Sequence, residues 1–121
     1  MDKKIITRNE VRIAVIHSEE VLLHDTSSAL DLIATVSYSD NCDRMCINKP
    51  AISEDFFRLS SGIAGEILQK FVNYSTKLAI IGDFSQYDSE PLKDFIYECN
   101  KSSNIFFVQT VSDALERLSV I

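Results

Sequence analysis

At 121 residues, the chain has room for one domain and one core. Its 45% hydrophobic and 25% charged residues are those of an ordinary globular protein, which excludes a disordered or low-complexity chain. The net charge of −6, from 18 acidic and 12 basic residues, opposes nucleic-acid binding, which depends on clustered Lys and Arg; the densest basic pair is Lys3-Lys4.

No apolar run approaches the roughly 20 residues that span a bilayer, so no membrane association is expected. The opening MDKKIITRNEVRIAVI has neither the apolar core nor the small-residue cleavage site of a secretory signal. The expected location is the cytoplasm. The three cysteines, Cys42, Cys46 and Cys99, are an odd number and do not form a disulfide framework. Cys42 and Cys46 are spaced CxxxC, and His17 and His24 lie in distant segments, so four converging zinc ligands are not expected. The thiols read as buried, Cys99 as core, and no metal or cofactor is called for.

In chain order, Ile5-Ile6 and Val11–Val15 read as two strands joined at Asn9-Glu10, an N-terminal hairpin. Val21-Leu22-Leu23 reads as a short strand or an extended lead-in. Asp25 or Thr26 caps a helix over about Ser27–Tyr38, and Asp40-Asn41 ends it. Arg44–Ile47 reads as a strand closed by Asn48-Lys49-Pro50. Ser53, followed by Glu54 and Asp55, caps a short helical turn at Glu54–Arg58. After a break near Ser60–Gly62 the main helix runs to about Asn73, with Ile63, Ile67, Phe71 and Ala64, Leu68, Val72 as two adjacent apolar stripes. Gly62 and Gly65 are poor helix formers, which predicts either close backbone approach or a loose first turn there.

Leu78–Ile81 runs without alternation, as in a strand buried on both faces. Ser89 caps the next helix, with Pro91 in its first turn and Leu92, Phe95, Ile96 and Cys99 as its inner stripe. Ile105–Val108 is a further apolar strand. A last helix begins at Thr110 and buries Val111, Ala114, Leu115 and Leu118. The sum is an α/β fold: a mostly parallel sheet of four to five strands with an N-terminal hairpin and four helices, in a single domain over 1–121.

The runs EDFFRLSSGIAGEILQKFVNYSTKLAIIGDFS, LKDFIYECNKSSNIFFV and ALERL, with ALDLIATVSY and CINKPAISEDFF upstream, closely resemble the domain-of-unknown-function family numbered 4180 over nearly the whole chain. That family implies no activity. The order of elements also loosely resembles STAS-like domains, the fold of bacterial anti-sigma-factor antagonists, which bind partner proteins. In those proteins a Ser or Thr before the second helix is a phosphorylation switch. Ser60-Ser61-Gly62 resembles that switch but has Leu59 where the family has an acidic residue; alignment on the Met45–Ile47 strand instead brings Ser53 or Glu54-Asp55 near the same place. Ser53, Ser60 and Ser61 are therefore the candidate switch positions. A phosphate at a helix N-terminus would meet free N–H groups and the helix dipole, whereas the plain alternative is that these serines cap.

If the sheet is parallel, its carboxyl edge gathers Asn48, Asp83, Ser85 and Gln109-Thr110, where open α/β sheets hold ligands. One carboxylate without a Lys, His or second acid is not a catalytic constellation, and an Asp in a turn commonly bonds its own backbone. No catalytic residue is singled out, and no P-loop, dinucleotide fingerprint, HExxH or GxSxG motif occurs. The expected function is a small bacterial-type protein-interaction or regulatory module without catalysis, with an unidentified protein partner. The alternative is a small-molecule-binding protein or minor enzyme using Asn48, Asp83 and Ser85. Homodimerisation through a sheet edge or helix face is a further expectation.

Overall fold

A computed structural model describes residues 1–120. The chain begins with a hairpin of β1 (Asp2–Arg8) and β2 (Val11–His17), in which Arg8 lies opposite Val11. The two residues between them, Asn9 and Glu10, have φ of 53° and 65°. A two-residue loop with both positions left-handed is the type I′ turn, whose twist matches that of the strands it joins. Next come β3 (Arg44–Asn48), β4 (Lys77–Ile81) and β5 (Ile105–Val108), each laid parallel beside its predecessor, so the sheet order is β1-β2-β3-β4-β5.

The parallel strands are joined by α1 (Thr26–Ala34), α2 (Ile63–Asn73) and α3 (Glu90–Lys101). Every crossover moves one strand in the same direction, and right-handed connections then place all three helices on one face. There Ile16, Met45, Ile47, Leu78, Ile80 and Phe107 pack with Leu32, Ile33, Ile67, Phe71 and Leu92. The final helix, α4 (Val111–Leu118), crosses the opposite face and sets Ala114, Leu115 and Leu118 on Ile13, Cys46, Ala79 and Phe106. This explains the unbroken apolar run in β4. Leu78 and Ile80 meet one helical layer while Ala79 meets the other.

The helix starts follow the sequence. Asp25 Oδ1 accepts from the Ser28 N–H at 2.8 Å in a capping box, Ser89 Oγ accepts from the Leu92 N–H at 3.3 Å, and Thr110 Oγ1 accepts from the Asp113 N–H at 3.0 Å. Of the two readings of Val21–Leu23, a short strand or an extended lead-in, the structure shows the lead-in: the segment adds only one parallel bridge, Leu23 to Ile52, after Ser18 turns the chain through hydrogen bonds to Glu20. Three expectations are corrected. The helix expected to reach Tyr38 is α-helical to Ala34 and continues as a π turn over Thr35–Ser39. Thr35 and Val36 are β-branched, and the Thr35 hydroxyl donates back to the Asp31 carbonyl at 2.9 Å, both of which loosen an α-helix.

Val111, expected in the core, is 42% exposed because it opens α4 at the carboxyl rim of the sheet. Cys99, also expected in the core, is half-buried at its margin. Of the two roles expected for the glycines of the main helix, close backbone approach is absent and the loosened helix entry is present at Gly62. Gly62 has φ +79° and open space around it, so it serves the left-handed join between a 3-10 turn and α2, while Gly65 also has no neighbour in close approach. A left-handed residue with a Cβ costs energy, and Glu10 is such a residue. Glu10→Gly should therefore stabilise the hairpin by about 1 kcal/mol, read as a rise in the urea midpoint at unchanged slope; a fall would contradict the type I′ assignment.

Candidate functional site

The carboxyl ends of β3 and β4 approach each other closely. A Cβ added to Gly82 would lie 2.8 Å from Cβ of Lys49, so the loop after β4 can leave the sheet here only through glycine. This is where the chain uses a glycine for close backbone approach. Lys49 is thereby pressed inward, with its side chain 15% exposed, and its ammonium lies 2.9 Å from Glu54 Oε1. The Tyr87 hydroxyl donates to the same carboxylate, 3.0 Å from Oε1 and 3.1 Å from Oε2. Beneath these groups the rings of Phe57 and Tyr87 stack at 5.4 Å and 16°, and Lys49 Nζ sits 5.1 Å from each centroid.

The electrostatics follow from that geometry. The Lys49 hydrogen bond holds the Glu54 carboxyl below its ordinary range against partial burial, with Tyr87 helping. Burial pulls the Lys49 ammonium down, but Tyr87 and Glu54 together outweigh it and hold it above its ordinary value. The aromatic floor continues inward. Phe57 meets Phe56 edge-on at 5.0 Å, and Phe84 meets Phe107 edge-on at 5.3 Å. Between this floor, the 3-10 turns Glu54–Phe57 and Leu59–Ser61, and the start of α3 runs a groove of about 450 Å³. Arg58, Ser60 and Pro91 stand among its walls, and Arg58 pairs with Asp55 at 2.9 Å.

The residues singled out from sequence fall into separate places around this edge. Asn48 faces β2: its Oδ1 accepts from the Ser18 N–H at 2.9 Å and its Nδ2 donates to the Ser18 carbonyl at 2.7 Å, a two-point clasp on the loop after β2. Asp83 is exposed and accepts from Ser85 twice, from its N–H at 3.0 Å and its hydroxyl at 2.6 Å. These two bonds hold the Asp83 carboxyl below its ordinary range. Asp83 and Ser85 are thus brought together, while Asn48 is committed to the other side of β3. Ser53 Oγ accepts from the Asp55 N–H at 3.3 Å. Ser61 Oγ donates to the Asp55 carbonyl at 2.7 Å and accepts from the Ile63 N–H at 3.2 Å, fixing the start of α2. Ser60 is exposed in the groove wall.

The remaining candidates are dispersed. His17 is exposed at the end of β2, and His24 lies 3.4 Å from Asp25 at the start of α1. Burial pushes the thiols of Cys46 and Cys99 up to about 11 and raises that of Cys42, so all three are protonated at neutral pH. Among the described residues no three His, Cys, Asp or Glu converge as metal ligands. At the opposite, amino end of the sheet a second hollow of about 410 Å³ opens beneath the π turn, between Tyr38 and Tyr74.

Lys49, Phe57 and Tyr87 were not singled out as a group by the sequence. The available signal was Gly82 directly after a buried strand, which marks a close approach but not its partner.

Two measurements check this cluster. Gly82→Ala should cost about 1–3 kcal/mol, because the clash is with a side-chain root that cannot swing away; a neutral result in urea denaturation would refute the close approach. Glu54, with a depressed pKa, stabilises the fold above its unfolded range near pH ~4.3, and that stabilisation is lost as pH falls through its folded pKa. Glu54→Gln should therefore lower Tm at pH 7 and match the wild type in strong acid. A Tm difference that persists there would show that the charge is not what matters.

A family model described as Domain of unknown function (DUF4180) matches residues 8–118. No curated protein matches the chain, and no solved structure does. The match runs from the last residue of β1 through the last residue of α4, covering the whole carboxyl edge with the Lys49–Glu54–Tyr87 cluster, and the chain belongs to this family of unknown function.

Proposed function

We propose that the chain is a non-catalytic protein-interaction module that docks a partner segment in the groove beside Phe57 and Tyr87. One observation carries this reading: the groove floor is a stacked aromatic pair locked by Lys49 and Glu54. Interfaces favour rigid aromatic anchors and arginine, because these supply contact area at little entropic cost. Here the ring pair is already ordered, Arg58 stands at the rim, and the neighbouring charges are internally paired, so an apolar side chain with a polar flank would complement the groove.

The same position suggests regulation. Ser53 and Ser61 have hydroxyls engaged in capping bonds, and Ser60 is exposed at the rim. A phosphate on Ser60 would add roughly −2 charge beside Arg58, Asp55 and Glu54 and change what the groove accepts. The STAS-like order of elements is in keeping with a partner-binding role. Three free thiols suit a reducing compartment, which supports a cytoplasmic location.

The second reading, a small-molecule site at the carboxyl edge, is favoured by the exposed Asp83–Ser85 pair with its ionised carboxylate. One experiment separates the two. Partner capture from the native host, followed by mass spectrometry, is run with wild type, Arg58→Glu, Ser60→Glu and Asp83→Ala, alongside a thermal-shift screen of metabolites. The interaction reading expects a protein captured by wild type and Asp83→Ala and lost in both groove variants. Equal capture by all four sinks it, and a metabolite shift abolished by Asp83→Ala would support the second reading instead.

A further inference from the structure

The two edges of the sheet are finished differently. On β5 the outward groups are covered by side chains of the preceding loop and helix. Asn100 Oδ1 accepts from the Phe107 N–H at 2.7 Å, and its Nδ2 donates to the Phe107 carbonyl at 3.2 Å, so a side-chain amide takes the place of a sixth strand. Ser102 Oγ lies 3.4 Å from the Ile105 N and 3.5 Å from its carbonyl oxygen. The opposite edge, β1, is longer, at 7 residues against 4. The type I′ loop makes Arg8 and Val11 a hydrogen-bonded pair, and by alternation Asp2, Lys4 and Ile6 also spend their backbone groups on β2. Lys3, Ile5 and Thr7 then point theirs outward, and among the described residues they make no other backbone hydrogen bond.

We infer that the chain forms a two-fold homodimer by antiparallel pairing of β1 with β1 of a second copy, centred on Ile5. Backbone alternation allows only registers that oppose an outward residue with an outward residue. Centred on Ile5, Lys3 faces Thr7, Lys4 faces Ile6, and Asp2 faces Arg8 at both ends. Centring on Lys4 opposes two Lys4 ammoniums, centring on Ile6 opposes Lys4 with Arg8, and centring on Lys3 or Thr7 leaves few residues paired. Like charges directly opposite destabilise a pair and unlike charges support it, so the basic residues that guard an edge here select one register.

Two further observations favour that register. Lys3 is already neutralised by Asp40, 2.8 Å away across the helical face. Asp2 and Arg8 have no ion-pair partner within the chain among the described residues, which leaves them free for each other. The product is a continuous ten-stranded sheet with an isologous contact.

Sedimentation equilibrium tests it. The wild type should be a dimer. Ile5→Pro, which removes an outward N–H and none that β2 uses, should be a folded monomer by circular dichroism. Asp2→Arg and Arg8→Asp should each weaken the dimer roughly tenfold through two symmetric pairs, and the double variant should recover it. A wild type that stays monomeric at millimolar concentration overturns the inference, as does an undiminished Ile5→Pro dimer or a double variant no better than the singles. If Ile5→Pro does not fold, the charge exchange decides alone.

Discussion

The contact between Gly82 and Lys49 sets the shape of the carboxyl edge. Two central parallel strands end side by side, and the chain leaving the second must pass the side-chain root of the residue following the first. Only a residue without Cβ can pass there. Pinned in this way, Lys49 cannot reach bulk water freely, so its charge must be met locally. Glu54 and the rings of Phe57 and Tyr87 meet it. The 3-10 turn after β3 and the loop after β4 are consequently tied together across 33 residues by the Tyr87–Glu54 hydrogen bonds, and the groove is the space those ties leave open.

What was legible in the sequence was whatever depends on neighbours in the chain. Asp25, Ser89 and Thr110 were readable as caps because each acts on an N–H three residues away. Leu78–Ile81 was readable as a doubly buried strand because apolar continuity reports burial on both sides. The Asn9-Glu10 turn and the hairpin were readable from spacing. The π turn was not, because it turns on how the Thr35 hydroxyl and the buried Val36 compete with the helix in three dimensions. The Lys49–Glu54–Tyr87 cluster was legible only in parts. Lys49 and Glu54 are close in sequence, but Tyr87 arrives from the far side of α2 and β4. Asn48 and Asp83 were placed correctly at one edge by topology, yet the direction each faces is decided by Ser18 and Ser85.

The helical layers are unequal, and that inequality assigns different work to the two faces. Three helices cover one face, while the 8-residue α4 alone crosses the other and leaves Ile6 and Val15 only partly covered. Arg44 fastens the end of α4, donating to the carbonyls of Leu118 and Val120 at 2.7 and 2.6 Å. A short helix anchored at its end suffices over β3, β4 and β5, where the small residues Cys46 and Ala79 let it lie close. Its cover thins toward β1, where Ile6 is only partly buried, and the outer edge of that strand has charge for protection or a partner for completion.

The two proposed contacts do not compete for surface. The groove belongs to the loops after β3 and β4 and to the start of α3, whereas the self-pairing edge is β1. β1 and β4 are three strand spacings apart, about 14 Å at the usual interstrand distance. A two-fold axis through Ile5 would relate two such grooves, each on strands set back from the pairing edge. Such a dimer presents two identical sites in fixed orientation, and a partner that is itself a dimer or carries repeated segments would bind by avidity. Loss of the β1 contact would then weaken partner capture without altering any residue in the groove. Were both proposed contacts made, self-association and docking would be coupled through geometry alone, with no conformational change required of either site.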